Sequence, residues 1–167
     1  DGDDVRVSNG NASFADKIVG NDKEFTFDVL TVEGAVSGNY VMAAQPAAGT
    51  ASITAKEVAI TGISAADKVY DGTVAAQVIG TPDISDKVDG DDVRVSNGNA
   101  SFADKMVDND KEVTFDGFTL EGADSGNYVL EAQPAADTAS ITAKELTITN
   151  LAVKDKAYDG LNAAVLD

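Results

Sequence analysis

A shift of 88 positions superimposes this chain on itself. Asp1-Gly2-Asp3-Asp4-Val5-Arg6-Val7-Ser8 returns as Asp89-Gly90-Asp91-Asp92-Val93-Arg94-Val95-Ser96, and the alignment continues without insertion to residue 167. About 70 % of the aligned pairs are identical. Whatever the chain folds into must therefore be built more than once from one recipe, with each copy able to abut the next. Near-identical tandem copies argue for length or multivalency, because a catalytic site is rarely needed many times in one chain.

Composition removes most chemistry. The chain carries 12 Lys plus Arg against 29 Asp plus Glu, a formal charge of −17. Such a surface repels nucleic acid and anionic headgroups, and no basic stretch offsets it, so neither nucleic acid nor membrane is expected as a partner. Cys and His are both absent. That excludes disulfides, Cys- or His-ligated metals, and the Ser-His-Asp and Cys-His constellations. Enzymes built on paired carboxylates pass this filter, but nothing singles out one pair here, and the chain is read as non-catalytic. No apolar run is long enough to span a bilayer as a helix. The start falls in mid-repeat, as expected of a piece of a larger protein.

The local pattern is that of short strands. Ala139, Ile141 and Ala143 alternate with Thr138, Ser140 and Thr142, and Leu146 and Ile148 alternate with Thr147 and Thr149. The parity slips between Ala143 and Leu146, which predicts one strand ending at Lys144-Glu145 and a new module's first strand at once. Further strands are predicted at 68–79, 92–96, 99–103, 112–121 and 127–132, with turns at Asn97-Gly98-Asn99 and Asp108-Asn109-Asp110-Lys111. Seven short strands per 88 residues predict an all-β chain of small immunoglobulin-like β-sandwich repeats; a β-grasp-like module with one short helix is the alternative. Asp124-Ser125-Gly126-Asn127-Tyr128 has the form of a tyrosine corner, with Tyr128 bonded to nearby backbone.

Lys68-Val69-Tyr70-Asp71-Gly72-Thr73-Val74-Ala75-Ala76 and its echo Lys156-Ala157-Tyr158-Asp159-Gly160-Leu161-Asn162-Ala163-Ala164 resemble the signature of YDG repeats, modules strung in tandem in large bacterial surface adhesins. Ala100-Ser101-Phe102-Ala103-Asp104-Lys105, Leu120-Glu121-Gly122-Ala123-Asp124-Ser125-Gly126-Asn127-Tyr128 and Ala139-Ser140-Ile141-Thr142-Ala143-Lys144 extend the resemblance in the right order. Ala143 stands where such repeats often carry Pro. The resemblance implies a complete module at 57–144, the C-terminal part of another at 1–56 and the N-terminal part of a third at 145–167. It also implies an extracellular or bacterial cell-surface location, and it assigns no catalytic residue. A frame of 1–79 and 89–167 joined by a linker at 80–88 is the competing division.

Two sets of residues stand out as candidate sites. In the signature residues Tyr70, Asp71, Gly72, Tyr158, Asp159 and Gly160, Tyr packs its ring, Asp caps a turn and Gly supplies a positive φ; exposed Tyr and Asp gripping a sugar or peptide is the rival reading. The acidic loops Asp1, Asp3, Asp4 and Asp89, Asp91, Asp92 have the oxygen chemistry calcium prefers, with Asp83, Asp86 or Asp124 as distal ligands. Calcium is the only cofactor considered, against the plainer reading of solvated loops. Lys105 and Lys111, set among carboxylates, raise the further idea of a Lys–Asn crosslink.

The expected function is a semi-rigid spacer in a bacterial adhesin. Its partners are neighbouring repeats of the same chain, head-to-tail contacts between molecules, and a host or matrix glycoprotein. The alternatives are a repeat that binds mucin, glycan or matrix through avidity, and an accessory module of a secreted carbohydrate-active enzyme.

Overall fold

The computed structural model describes residues 2–167, so the candidate ligand Asp1 lies outside the described residues. The protein is all-β. Its helical segments are single 3-10 turns at Ser37–Asn39 and Ser125–Asn127, the same place in both copies. The chain forms two compact units: Asp1–Ile63 with Gly80–Asn99 and Phe115–Ala135, and Ser64–Ile79 with Ala100–Thr114 and Ala136–Asp167.

The sheet of the second unit has five strands in the order Lys68–Val69, Asp137–Thr142, Asp108–Asp116, Asn99–Phe102 and Ala75–Ala76. Asp108–Asp116 runs antiparallel to Asp137–Thr142, as Asn99–Phe102 does to Ala75–Ala76, and Lys68–Val69 joins Asp137–Thr142 in parallel. Apolar alternation sets its buried face: Ala139 and Ile141 turn inward while Thr138 and Thr142 face solvent. Ala100, Phe102 and Val113 are buried as well.

In the first unit, Ala12–Phe14, Gly20–Phe27 and Gly49–Ile53 form a three-stranded antiparallel sheet. It repeats the register of the later copy: Lys23↔Ala51 and Glu24↔Thr50 correspond to Lys111↔Ala139 and Glu112↔Thr138. Both long strands carry an irregularity at the same place, where Asp22 and Asp110 adopt φ of 51° and 49°. The turn predicted at 108–111 is thus a bulge inside a strand, since the short Asp side chain tolerates the left-handed region. Where the copies differ in sequence, the changes are paired. Phe25 faces Gly49 across the ladder, and a Cβ on Gly49 would come within 2.9 Å of that ring; the later copy has the smaller Val113 opposite Asp137.

The remaining pairs of this unit are Arg6–Val7 with Val32–Glu33, Arg94–Val95 with Leu120–Glu121, and Lys56–Val58 in parallel with Tyr128–Leu130. Val58, Ile84, Val93 and Tyr128 form a buried cluster, with Val95, Leu120 and Leu130 packed on it. Ile60–Ala65 pairs with Val78–Ile84, so residues 80–84 are strand where the competing division required a linker. The strand predicted at 146–149 does not form: Leu146 and Ile148 are 87 % and 82 % exposed. Their counterparts Val58 and Ile60 are buried in strands, because the partners Tyr128–Leu130 and Val78–Ile84 lie after them in the chain. Among the described residues no strand pairs with 146–149.

Candidate functional site

The Tyr-Asp-Gly signature is a clasp. Asp71 Oδ1 accepts hydrogen bonds from the Thr73 N–H (2.8 Å), the Thr73 hydroxyl (2.9 Å) and Lys68 Nζ (2.9 Å). Gly72, at φ 85°, supplies the left-handed step that closes the turn. Lys68 Nζ also donates to the carbonyls of Thr73 (2.9 Å) and Ala75 (2.8 Å) and lies 5.5 Å from the centre of the Phe102 ring. Lys68 and Ala75 sit on opposite edge strands of the five-stranded sheet. In a flat sheet those edges would stand about 19 Å apart, four inter-strand steps, far beyond a lysine's reach. The sheet is therefore strongly curled, and one ammonium group ties its two edges together. Tyr70 continues the parallel pairing through its N–H to the Thr142 carbonyl, 2.9 Å.

The clasp is local in origin. Lys156 Nζ reaches Asp159 (2.8 Å) and the Leu161 carbonyl (2.8 Å), and the Leu161 N–H bonds to Asp159 Oδ1 (2.9 Å), although Tyr158 is fully exposed there. Lys68, then its bonds to the Thr73 backbone and hydroxyl, hold the Asp71 carboxyl at about 2 against an ordinary 3.8. Lys156 and the Leu161 N–H lower Asp159 in the same sense. A depressed carboxyl stabilises the fold above its unfolded pKa and loses that contribution as pH falls through the folded value. Asp71→Asn should accordingly lower the melting temperature at pH 7, by a modest amount because the carboxylate is half exposed to solvent. Variant and wild type should converge near pH 2, as followed by circular dichroism melts at several pH values.

A second constellation marks the junction between copies. Lys17 Nζ contacts Asp91 Oδ1 at 2.9 Å, and Asp91 Oδ2 accepts the Tyr128 hydroxyl at 2.8 Å. The Val19 N–H donates to Asn127 Oδ1 at 3.0 Å. Tyr128 is buried, and its oxygen also accepts the Val88 N–H at 3.1 Å. The bonded backbone lies 40 residues upstream, so Tyr128 anchors the 88–91 loop where a local tyrosine corner was expected. Lys17 and then Tyr128 lower the Asp91 carboxyl, Asp91 raises Lys17, and burial followed by Asp91 raises Tyr128. Each of these groups favours the charge state that the contact needs.

The acidic loops serve backbone groups more than one another. Asp92 Oδ2 accepts the Ala123 N–H at 3.1 Å, the Asp92 N–H donates to Asp124 Oδ2 at 2.9 Å, and Asp83 caps the Ile84 N–H at 2.8 Å. Asp3 accepts the Tyr40 hydroxyl, Asp4 accepts the Ala35 N–H at 3.3 Å, and Asp89 and Asp86 are exposed. Among the described residues no group of three or more acidic side chains gathers as metal ligands would. Lys111 is paired with Asp104 at 2.7 Å, and Lys105 is exposed.

Sequence reasoning left Lys68, Lys17 and Asn127 without roles. The signal was present in the self-alignment, since the lysine two residues before Tyr-Asp-Gly recurs at 156, Lys17 at 105 and Asn39 at 127.

A further groove, of about 440 Å³, is lined by Tyr70, Met106, Val107, Ala143, Lys144 and Leu146. It is predominantly apolar and open.

An 88-residue repeat whose two copies form three-stranded ladders of the same register places the protein among tandem all-β repeats. The chain belongs to the YDG domain family, which matches residues 1–48 and 54–137. Shifted by 88, the shorter match falls on 89–136, the second half of the longer one. Among curated proteins and among solved structures, nothing matches the chain.

Proposed function

We propose that the chain is a non-catalytic tandem-repeat segment of a bacterial extracellular adhesin, a semi-rigid spacer that holds an attachment site away from the cell surface. One observation carries this reading: the junction has no linker. The segment Lys56–Val58 leaves one copy and directly becomes a parallel strand beside Tyr128–Leu130 of the next, braced by the Lys17–Asp91–Tyr128 chain. A strand shared across a boundary resists bending in a way that a Gly- or Ser-rich tether does not. The proposed modules are 1–56, 57–144 and 145–167, each an immunoglobulin-like sandwich or part of one. The strong negative charge favours extension through self-repulsion, and the absence of Cys removes wrong disulfides as traps for a long exported chain.

Small-angle scattering on tandem proteins of two, four and six repeats tests the spacer reading. The maximum dimension should grow in proportion to repeat number; growth nearer the square root of length would mean a flexible string and reject it. The same proteins on a glycan and matrix-protein array should give no binding that rises with repeat number. Signal that does rise would favour an avidity-driven ligand-binding repeat.

A further inference from the structure

In the division proposed above, the module at 57–144 is closed by parallel pairing near both its start and its end. At the start, Lys56–Val58 lies beside Tyr128–Leu130 in the register Lys56↔Tyr128, Glu57↔Val129, Val58↔Leu130. At the end, Asp137–Thr142 lies beside Lys68–Val69, with Ile141↔Lys68 and Thr142↔Val69. Each pair joins a strand from early in the module to one from late in it. The long crossover that parallel pairing demands is the rest of the module.

Strand direction decides how these pairs meet a pull along the chain. Such a pull draws the early strand out by its N-terminal end and the late strand by its C-terminal end. In an antiparallel pair those ends lie side by side, and the ladder opens one bond at a time. In a parallel pair they lie at opposite ends, so the strands separate only by sliding, and the bonds of the pair give way together. Both pairs are stitched beyond their ladders. The Glu131 N–H donates to the Val58 carbonyl at 3.0 Å, and the Tyr70 N–H to the Thr142 carbonyl at 2.9 Å. The Ser140 N–H donates to Asp67 Oδ1 at 2.6 Å, and the Thr142 hydroxyl to the Lys68 carbonyl at 3.3 Å. Tyr128 is anchored from the side by Asp91 and the Val88 N–H. Val58, Tyr128 and Ile141 are buried, which keeps competing water from the neighbouring bonds.

We propose that the repeat bears tension: Lys56–Val58 with Tyr128–Leu130, and Lys68–Val69 with Asp137–Thr142, are shear locks that keep the module folded when the chain is pulled end to end. This deepens the spacer reading and rests on its view that repeats follow one another in one continuous chain. A spacer that transmits a pull must not lengthen by unravelling. The rate of forced unfolding, not the equilibrium stability, sets that limit.

Single-molecule pulling on the full 167-residue chain tests the proposal, and the absence of Cys lets paired substitutions place the handles uniquely. Thr54→Cys with Glu145→Cys loads the parallel pairs from opposite ends, in shear. Thr54→Cys with Gly126→Cys loads Lys56–Val58 and Tyr128–Leu130 from the same end, in peeling; a side chain at Gly126 meets open space. The unfolding force should be at least about twofold higher in the shearing direction. Asp67→Ala, which removes the bond to Ser140, should lower that force. Gln133→Ala removes bonds of 2.9 and 3.0 Å to the Phe118 backbone but none in either lock, and should leave it unchanged. Urea unfolding followed by circular dichroism gives each variant's equilibrium stability. Equal forces in the two directions, or a force that follows equilibrium stability whichever bond is removed, overturns the proposal. Equal forces in repeats whose arrays scatter as rods reject this proposal alone. Direction-dependent forces in repeats whose arrays scatter as flexible strings reject the spacer reading alone.

Discussion

Phe102→Ala is expected to destabilise the protein by about 3 to 5 kcal/mol in urea unfolding followed by circular dichroism, and Phe14→Ala by no more than about 1.5 kcal/mol. The two positions are the same residue in the repeat, on strands of matching register, so sequence alone offers no reason for a difference. Phe102 is 2 % exposed and Phe14 38 %. Around Phe102 the sheet is complete: Ala75–Ala76 pairs with Asn99–Phe102, the Phe102 N–H donates to the Val74 carbonyl at 2.8 Å, and Lys68 lies over the ring. Ala12–Phe14 is an edge strand of a three-stranded sheet, and Phe14 finds the ring of Phe25 at 6.2 Å, edge-on. Removing Phe102 leaves a cavity with walls on every side, whereas removing Phe14 enlarges an open surface. Equal losses at the two sites would mean that Phe14 is covered in solution as fully as Phe102.

Lys68→Met should cost about 2 to 4 kcal/mol by the same measurement, because one ammonium serves the Asp71 carboxylate, the Thr73 carbonyl and hydroxyl and the Ala75 carbonyl. Its loss frees the two edges of a curled sheet and leaves Asp71 without its cation. Lys156→Met, which removes the same local bonds, should stay within about 0.5 kcal/mol. The distinction is tertiary. The Lys68 side chain is 16 % exposed and bridges two edge strands, while that of Lys156 is 36 % exposed and closes a turn with no sheet around it. If both substitutions proved equally mild, the clasp would be a consequence of the fold and not one of its supports.

Period-two patterning is a property of neighbouring residues, so the strands around Ala139 and Ile141, and the inward face they present, were legible without coordinates. The Tyr-Asp-Gly turn was legible for the same reason: Asp71, Gly72 and Thr73 close it among themselves, and Asp159, Gly160 and Leu161 repeat it with almost nothing packed against them. The missing and displaced elements have the opposite character. Leu146 and Ile148 alternate as Val58 and Ile60 do in their half of the repeat, yet only the latter become strands, because a strand requires an edge to pair with and that edge comes from a later part of the chain. Tyr128 was read as a local corner and instead anchors a loop 40 residues away, a distance that no window of sequence can span.

Identical residues therefore meet opposite fates here, Phe14 beside Phe102 and Tyr40 beside Tyr128. The sequence by itself determined the repeat, its 88-residue length, the all-β class, the acidic and Cys-free surface and the turn chemistry of the signature, since each is carried by composition or by residues adjacent in the chain. The curl of the five-stranded sheet, the reach of Lys68 across it and the Lys17–Asp91–Tyr128 junction were decided only by tertiary structure. They depend on which distant strand arrives to cover a given face, and burial, not residue identity, sets what that face contributes.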